Sequence, residues 1–513
     1  MRILETVENL TDRLAHWLEE HPAWFLSGFS VVYFVITIWL AAAKPFWFDE
    51  LFTYYLARLP SVSDIWSALR QSADQQPPPF FLVTRASGTL LSDAQVAFRL
   101  PEMLGYWLAS VCVFHWVRRR SSALYGAVAL SSLLITGAYE YAYEARPYAL
   151  VLGFCALCLL SWQAAADGRW RRLSLAGVAL SIAAAISSSY YAVLIVPPLA
   201  LAELVRTLYR KVVDWAMWIS LAAGASVAFL YLPLVASNVR GFSRTNWASP
   251  YSTVVIDIYR QLLGDTMLAL LALLVLAAVY LTFRRPRPSG QSSKLAAAPG
   301  PHEMTAAAGL LLLPFLLYIA GVLVTHMVTG RYALSAAIGF SLVLTFLVHR
   351  AARGNSVIGT ALLLSCLAVF ACGPALRGHF AARQQQHSLR ILGVLLAGQP
   401  SHLPVVVDDP HKLLELAHYE NPEIAARLFY MIEPESALRY QSVPYPATRW
   451  LKLRNWLPLR PERLALFRKT HQQFLLYVTG SPNGWVLPKL VADGATIQVA
   501  AVQGRHSLYL VND

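Results

Sequence analysis

The sequence predicts a polytopic α-helical membrane protein that ends in a soluble α/β domain. Of the 513 residues, 57% are hydrophobic and 14% are charged, whereas soluble domains carry about 25% charged residues. Several stretches of about 18 or more mostly apolar residues are each long enough to cross a bilayer. After residue 375 the apolar runs shorten and strand patterns alternate with helix patterns, which is typical of a small α/β domain.

The basic residues predict the orientation in the membrane. The net charge is +13, but the charge is spread over short clusters between apolar segments, as the positive-inside rule expects, and forms no basic stripe for nucleic acid. With a cytoplasmic N-terminus, five clusters fall inside: Arg118–Arg120, Arg169–Arg172, Arg206–Lys211, Arg284–Arg287 and His349–Arg353. The C-terminal domain is then expected outside.

Residues 1–22 are expected to form an amphipathic helix on the membrane surface, because the apolar side chains from Ile3 to Leu18 recur at helical spacing. About eleven spans follow in the predicted transmembrane domain, residues 23–375. Their approximate bounds are 23–43, 100–117, 122–139, 147–166, 173–189, 191–207, 215–236, 262–283, 306–327, 331–349 and 356–374.

The long first outer loop, residues 44–99, is predicted to carry two interfacial helices. Ser61–Arg70 begins with serines that can cap a helix. Pro79–Leu91 is too short to cross comfortably and contains Arg85. If it crossed the membrane, all later basic clusters would fall outside. We therefore expect it to lie on the outer surface as a helix.

Residues 376–513 are predicted to form the outer α/β domain. The expected strands are Pro404–Asp408, Ala426–Ile432, Gln473–Thr479, Thr496–Val502 and His506–Val511, and the expected helices are His411–Tyr419, Pro461–His471 and Gly484–Ala492. All five cysteines lie in apolar segments before this domain, so the domain can hold neither a disulfide nor a thiolate zinc site. The C-x-x-C pair, Cys155 and Cys158, is predicted to pack within a span rather than to carry redox chemistry.

Carboxylates and arginines gather at the predicted outer membrane edge. Asp49 and Glu50 follow the first span, and Glu144, Arg146 and Tyr148 lie in the turn between the third and fourth spans. The other members are Arg99, Arg244, Arg331 and Tyr332. Arginine binds phosphate through paired hydrogen bonds, and a carboxylate can accept the proton of an attacking hydroxyl. This set of residue types suits transfer from a phosphate leaving group to a hydroxyl.

Each of these residues also has a structural interpretation. Asp49 and Glu50 would then be solvated loop charges, and Glu144 and Arg146 would pair at a helix end. Arg331 and Tyr332 would anchor a span at the interface. The remaining outer arginines would contact lipid headgroups.

Five short motifs, in order, resemble the glycosyltransferase family 39/83-like enzymes of the GT-C superfamily, which include protein O-mannosyltransferases and aminoarabinose transferases. The motifs are the Asp49-Glu50 pair, Asp74–Phe81, Phe98–Pro101, Tyr143–Leu150 and Gly330–Tyr332. Gln76 stands where the family usually has His, and Tyr143 where it usually has Gln. Proline is missing after Tyr332.

The resemblance implies transfer of a sugar from a polyprenyl-phosphate donor to a hydroxyl of a protein, lipid or glycan, with inversion. Asp49 would be the general base, while Glu50 and Glu144 would orient it or the acceptor. Arg146 and Arg331, with Tyr148, Tyr332, Arg99 and Arg244, would bind the donor phosphate. The expected location is a bacterial inner membrane. No cofactor is required, although Asp49 and Glu50 leave a divalent metal open.

Two other classes remain as alternatives. A lipid or sugar transporter would show internal repeats and charged or broken helices near the midplane, whereas the predicted spans carry few charges. A membrane scaffold with a partner-binding outer domain would leave the carboxylates and arginines unexplained. Net sugar transfer from a polyprenyl-phosphate donor distinguishes the enzyme from both.

Overall fold

The computed structural model describes residues 2–241, 248–283, 299–440, 447–480 and 484–512. The helices before residue 242 are α1 Arg2–Glu20, α2 Pro22–Ala43, α3 Phe48–Ala57, α4 Val62–Arg70, α5 Pro78–Ser87, α6 Ala94–Arg118, α7 Ala123–Leu134, α8 Tyr148–Ala166, α9 Arg171–Ser188, α10 Val196–Arg210, α11 Trp215–Ser226 and α12 Leu232–Gly241. The later helices are α13 Val254–Phe283, α14 Pro301–Leu311, α15 Leu313–Ala320, α16 Ala336–Ala351, α17 Ser356–Phe370, α18 Leu376–Leu396, α19 Pro410–Tyr419, α20 Pro422–Ala425, α21 Pro434–Tyr440, α22 Ala447–Leu453, α23 Leu464–Thr470 and α24 Val486–Ala492.

The chain is a multi-span helical membrane protein. Among the described residues, 7 helices are long and apolar enough to cross a bilayer, or 9 if each of two bent pairs, α7 with Gly137–Tyr143 and α14 with Leu313–Thr325, is one span. The prediction of about eleven spans also counted the segments now seen as α9 and α16. Arg171, Arg172 and several serines lower the hydropathy of α9, and α16 begins only at Ala336 because Gly330–Ala333 forms a 3-10 turn.

The described residues form two compact units. The first comprises Met1–Ala42, Gln76–Val235 and Pro250–His379, and the second comprises Ala43–Gln75, Ala236–Ser249 and Phe380–Asp513. The first part of the outer loop is therefore grouped with the C-terminal residues. The predicted domain boundaries, drawn along the linear sequence, remain a prediction, as does the placement of the outer face.

In the first unit, charged residues near helix ends form two ion-pair networks. Glu203, Arg206 and Glu303 are buried, whereas Arg120, Asp167 and Asp214 are partly exposed. Arg120 binds Glu303 at 2.9 Å and Asp167 at 2.7 Å. Arg206 binds Glu203 at 2.7 Å and Asp214 at 2.5 Å. A buried charge is costly unless it is paired, so these contacts explain how the basic clusters coexist with an apolar bundle.

The C-terminal part of the second unit is built on a six-stranded mixed sheet in the order β3-β2-β1-β4-β6-β5. The strands are β1 Val405–Val407, β2 Leu428–Ile432, β3 Pro461–Arg463, β4 Gln473–Val478, β5 Thr496–Gln503 and β6 His506–Asn512. The first four are parallel, and β5 and β6 add an antiparallel hairpin. The continuous apolar runs of β1 and β4 fit a sheet that is buried on both faces.

The predicted α/β character of the C-terminal region is confirmed, but helices α20, α21 and α22 and strand β3 were not predicted. The expected helix over Pro461–His471 begins only at Leu464, because Pro461–Arg463 pairs with Tyr430–Ile432 as edge strand β3. Proline is tolerated on an edge strand, so its presence there did not mark a helix start.

Asp408 follows β1 and is buried, with its carboxylate accepting a hydrogen bond from the Val486 backbone N–H at 3.0 Å. Burial raises the pKa of Asp408 to about 6, whereas an unfolded chain has an Asp pKa of about 3.9. The folded state therefore binds this proton more tightly. The ionised carboxylate weakens the fold above pH 6, and this penalty disappears as the pH falls from 6 to about 4.

We predict that Asp408→Asn raises the free energy of unfolding by up to about 2–3 kcal/mol at pH 7.5, since a pKa unit corresponds to about 1.4 kcal/mol. The amide oxygen can still accept from the Val486 N–H, whereas the bond from the Trp485 N–H is lost, which reduces the gain. At pH 4 the gain should vanish. Thermal unfolding of the purified full chain in detergent at both pH values measures this difference, and an equal shift at both would contradict it.

Candidate active site

A break in the helical bundle positions the Tyr143–Leu150 motif. After α7 ends, the chain forms a 3-10 turn over Gly137–Tyr143 and an extended Glu144 before α8 begins at Tyr148. Buried backbone polar groups outside a helix need hydrogen-bond partners from elsewhere in the protein. The break therefore needs partners from neighbouring helices.

Helix α6 supplies these partners from side chains one turn apart. The Tyr106 hydroxyl donates to the Leu133 carbonyl at 2.7 Å, at the end of α7. The Glu102 carboxylate accepts from the Leu150 N–H at 3.0 Å, at the start of α8. Both helix ends that flank the break are therefore anchored to α6.

Gly105 lets α6 and α8 approach closely enough for the hydrogen bond between Glu102 and Leu150. A Cβ atom at residue 105 would lie 2.5 Å from the Leu150 Cα and 2.7 Å from the Ala149 carbonyl oxygen. Atoms of the helix backbone cannot move away as a flexible side chain can. The sequence shows this glycine only as a small residue in a span, and its packing role is visible only in the structure.

Within the first unit, the Tyr143–Leu150 and Gly330–Tyr332 motifs meet. The Arg331 guanidinium lies 5.7 Å from the centre of the Tyr148 ring, within cation–π range. The rings of Tyr148 and Tyr332 are 6.2 Å apart. Glu144 and Arg331 both interact electrostatically with Tyr141. Arg146 interacts in the same way with Tyr332. Five predicted residues, Glu144, Arg146, Tyr148, Arg331 and Tyr332, thus form one cluster.

Further residues of this cluster were missed or undervalued in the sequence. Tyr191 stacks on Tyr332 with ring centres 3.8 Å apart. The Tyr141 and Tyr148 rings pack edge to face, with their centres 5.3 Å apart. The Gln76 side chain, 1% exposed, donates to the Tyr148 hydroxyl at 3.4 Å. The polar and aromatic run Ser187–Tyr191, which separates two apolar segments, is the signal that could have located Tyr191.

The remaining predicted residues lie elsewhere or outside the described chain. Arg99 is fully buried and donates to the Ala41 carbonyl at 2.6 Å, which ties α6 to the end of α2. Arg244 lies outside the described residues. In the described chain, no group of three or more histidine, cysteine or acidic side chains is arranged to hold a metal ion.

Asp49 and Glu50 belong to the second unit, in the first turn of α3. Glu50 is fully buried, and its carboxylate accepts from the Trp47 N–H at 3.3 Å, so it caps the helix. Asp49 is half-buried. The helix dipole favours a carboxylate such as that of Asp49 in the first turn. The capping bond of the neighbouring Glu50 fixes the backbone that carries Asp49.

Helix α3 is held by α19 of the C-terminal sheet region, within the same unit. The Tyr55 hydroxyl and His418 Nδ1 are 2.9 Å apart. The Phe48 and His411 rings pack edge to face, with their centres 4.2 Å apart. Burial raises the pKa of Glu415, which accepts from the Phe48 N–H. The C-terminal residues therefore support the helix that carries Asp49.

Comparison with known proteins bears on the fold and the family. Residues 75–236 match the family described as Dolichyl-phosphate-mannose-protein mannosyltransferase. The structure is similar to the crystal structure of ArnT from Cupriavidus metallidurans bound to undecaprenyl phosphate, with a TM-score of 0.54 and 12% identity over 95% of this chain and 98% of that chain. The chain has a GT-C fold.

The same GT-C fold is seen in the apo structure of ArnT from Cupriavidus metallidurans, with a TM-score of 0.50 and 15% identity over 94% of this chain and 98% of that chain. No curated protein sequence matched. The fold that the five-motif resemblance implies is confirmed, and the family match over residues 75–236 agrees with it. The family match begins at Gln75 and ends well before Gly330, so it leaves out the first and last motifs. The roles of individual residues remain proposals.

We predict that Gly105→Ala destabilises this GT-C domain, because the new methyl group would overlap the α8 backbone. Overpacking of this kind costs about 1–3 kcal/mol. The matched control is Gly28→Ala in α2, where no atom lies within 4 Å of the added Cβ and helix propensity favours alanine. Thermal unfolding in detergent measures the stability of both variants. Equal stability would show that residue 105 has room for a methyl group, contrary to this prediction.

Proposed function

We propose that the protein is a membrane glycosyltransferase that moves a sugar from a polyprenyl-phosphate donor to an acceptor hydroxyl. The meeting of Arg331 with Tyr148 carries the proposal, since it brings two distant sequence motifs into one cationic, aromatic cluster. The match of residues 75–236 to a mannosyltransferase family supports it. So does the similarity in fold to ArnT bound to undecaprenyl phosphate.

Arg146 and Arg331 are the proposed phosphate ligands. The Arg146 side chain is 4% exposed, and electrostatic interactions are stronger in such a low-dielectric setting than in water. Tyr148 lies against the Arg331 guanidinium, which restricts its orientation. Arginines fixed in this way can stabilise charge that grows on a departing phosphate.

Asp49 is the proposed general base. It would take the proton from the acceptor hydroxyl as that oxygen bonds to the anomeric carbon. The bond between the anomeric carbon and the phosphate oxygen breaks, and its electron pair stays on that oxygen. The leaving group is therefore polyprenyl phosphate. Attack opposite the leaving group inverts the anomeric centre. Glu50 would hold the helix turn, and Glu144 would orient the acceptor.

The proposed setting is an inner membrane with a cytoplasmic N-terminus. The C-terminal domain would then face outside. The acceptor is a protein, lipid or glycan hydroxyl. The alternative is a lipid or sugar flippase without transferase activity. Such a transporter would use charged residues within its helices to bind its cargo. The ion pairs of the first unit do not favour this alternative, because each arginine already binds an acidic partner.

We predict that Asp49→Asn lowers the turnover number about 10²–10⁴-fold, the usual contribution of a general base, while donor binding is retained. Glu423→Gln, an exposed carboxylate of the second unit, is the control. Transfer of labelled sugar from a panel of polyprenyl-phosphate sugars in reconstituted membranes provides the measurement. Wild-type rates in Asp49→Asn would remove Asp49 from the chemistry.

We predict that Arg331→Ala lowers turnover about 10²–10³-fold, as loss of one preorganised donor to a developing oxyanion does. Arg331→Lys should recover part of this loss, because it restores the charge without the paired geometry. The control is Arg260→Ala, whose side chain is 77% exposed. Equal rates in Arg331→Ala and Arg260→Ala would argue against phosphate binding by Arg331.

A further inference from the structure

A cavity of about 230 Å³ lies in the first unit beside the cluster of Arg331 and Tyr148. Its walls come from the 3-10 turn of the bundle break, from α13 and from the turn that begins at Gly330. The lining residues that carry polar groups are Glu140, Tyr141 and Gln261, and the apolar lining includes Ile258, Leu262 and Leu334. Neither Glu140 nor Gln261 has a role in the proposed chemistry.

The cavity adjoins the proposed phosphate ligands. Leu334 lines both this cavity and a small crevice that Arg331, Tyr148 and Tyr332 also line. Gly330 directly precedes Arg331 in the chain. Tyr141, in the cavity wall, interacts electrostatically with Arg331. A group bonded to a phosphate at Arg331 therefore has this cavity within reach.

The polar groups around the cavity suit a neutral, hydroxyl-rich ligand. The Glu140 carboxylate accepts hydrogen bonds, and the Gln261 amide can donate and accept. Arg377, which pairs with Asp265, also interacts electrostatically with Glu140. A sugar ring presents several hydroxyls that can each donate and accept, and it matches such a set.

The volume limits the size of the ligand. Sites for drug-sized ligands measure about 300–1,000 Å³, and this smaller cavity has room for a single sugar ring. Glu140 and Gln261 are exposed, so a ligand can reach both side chains.

We propose that this cavity is the subsite for the single sugar ring of the donor, with Glu140 and Gln261 binding its hydroxyls. The inference rests on the proposed function, because it takes Arg331 as the phosphate ligand. It adds that these two side chains, which touch the sugar and not the phosphate, determine which sugar is accepted.

The test compares two ligands that differ only in the sugar. Undecaprenyl phosphate serves as the bare lipid. The second ligand is the undecaprenyl-phosphate hexose or pentose that the wild type transfers fastest from a panel. Dissociation constants are measured for the full chain in detergent, for wild type, Glu140→Gln, Gln261→Ala and the control Asp257→Asn, which lies one turn earlier on α13 and does not line the cavity.

Glu140→Gln replaces charge-assisted hydrogen bonds by weaker neutral ones, and Gln261→Ala removes its hydrogen bonds, so each should weaken binding of the sugar-linked lipid about tenfold. Affinity for bare undecaprenyl phosphate should stay within about twofold, and Asp257→Asn should change neither value. A shift in the preferred sugar of the panel would further support the subsite.

An equal loss for both lipids, or no change for either, would overturn the subsite while leaving the transferase intact. Equal binding of both lipids by the wild type would also overturn it. If the wild type binds neither lipid and transfers no sugar of the panel, the proposed function itself fails, and the subsite with it.

Discussion

The close contact between α6 and α8 at Gly105 is the constraint on which the proposed site depends. The chain must turn between α7 and α8, and non-helical backbone in such a turn needs hydrogen-bond partners from elsewhere when it is buried. Helix α6 contacts both flanking helix ends, through Tyr106 at the end of α7 and Glu102 at the start of α8. The second of these hydrogen bonds crosses the α6–α8 contact, where a side chain at residue 105 would overlap the α8 backbone.

The break has a direct consequence for charge. Glu144 and Arg146 lie on non-helical backbone among aromatic rings, and they are 9% and 4% exposed. Tyr148 and Tyr332 face the Arg331 guanidinium, and aromatic faces attract such a cation where water is scarce. The same arrangement that stabilises the cations also fixes them in place. Rigid cations are what stabilisation of a phosphate leaving group requires.

The carboxylates of the first outer loop depend on a different set of contacts. Glu50 caps α3, and the contacts of Phe48 and Tyr55 with α19 hold this helix against the C-terminal region. Adjacent acidic residues can therefore differ in role: the buried Glu50 maintains the turn, while the half-buried Asp49 remains accessible to solvent. The pairing of these two residues in the sequence carries no sign of that division.

Local patterns in the sequence were sufficient for the membrane class, most spans, most C-terminal α/β elements and the GT-C fold, because hydropathy, strand alternation and ordered motifs are local properties. They also singled out Glu144, Arg146, Tyr148, Arg331 and Tyr332, which the fold brings together. Tyr191 became known only from the folded chain, and the contact of Gln76 with Tyr148 also depends on packing between distant segments. The same holds for edge strand β3, whose three residues are a strand only because β2 pairs with them. Gly105 is the clearest case: its role is a distance between two helices, and no local pattern encodes that distance.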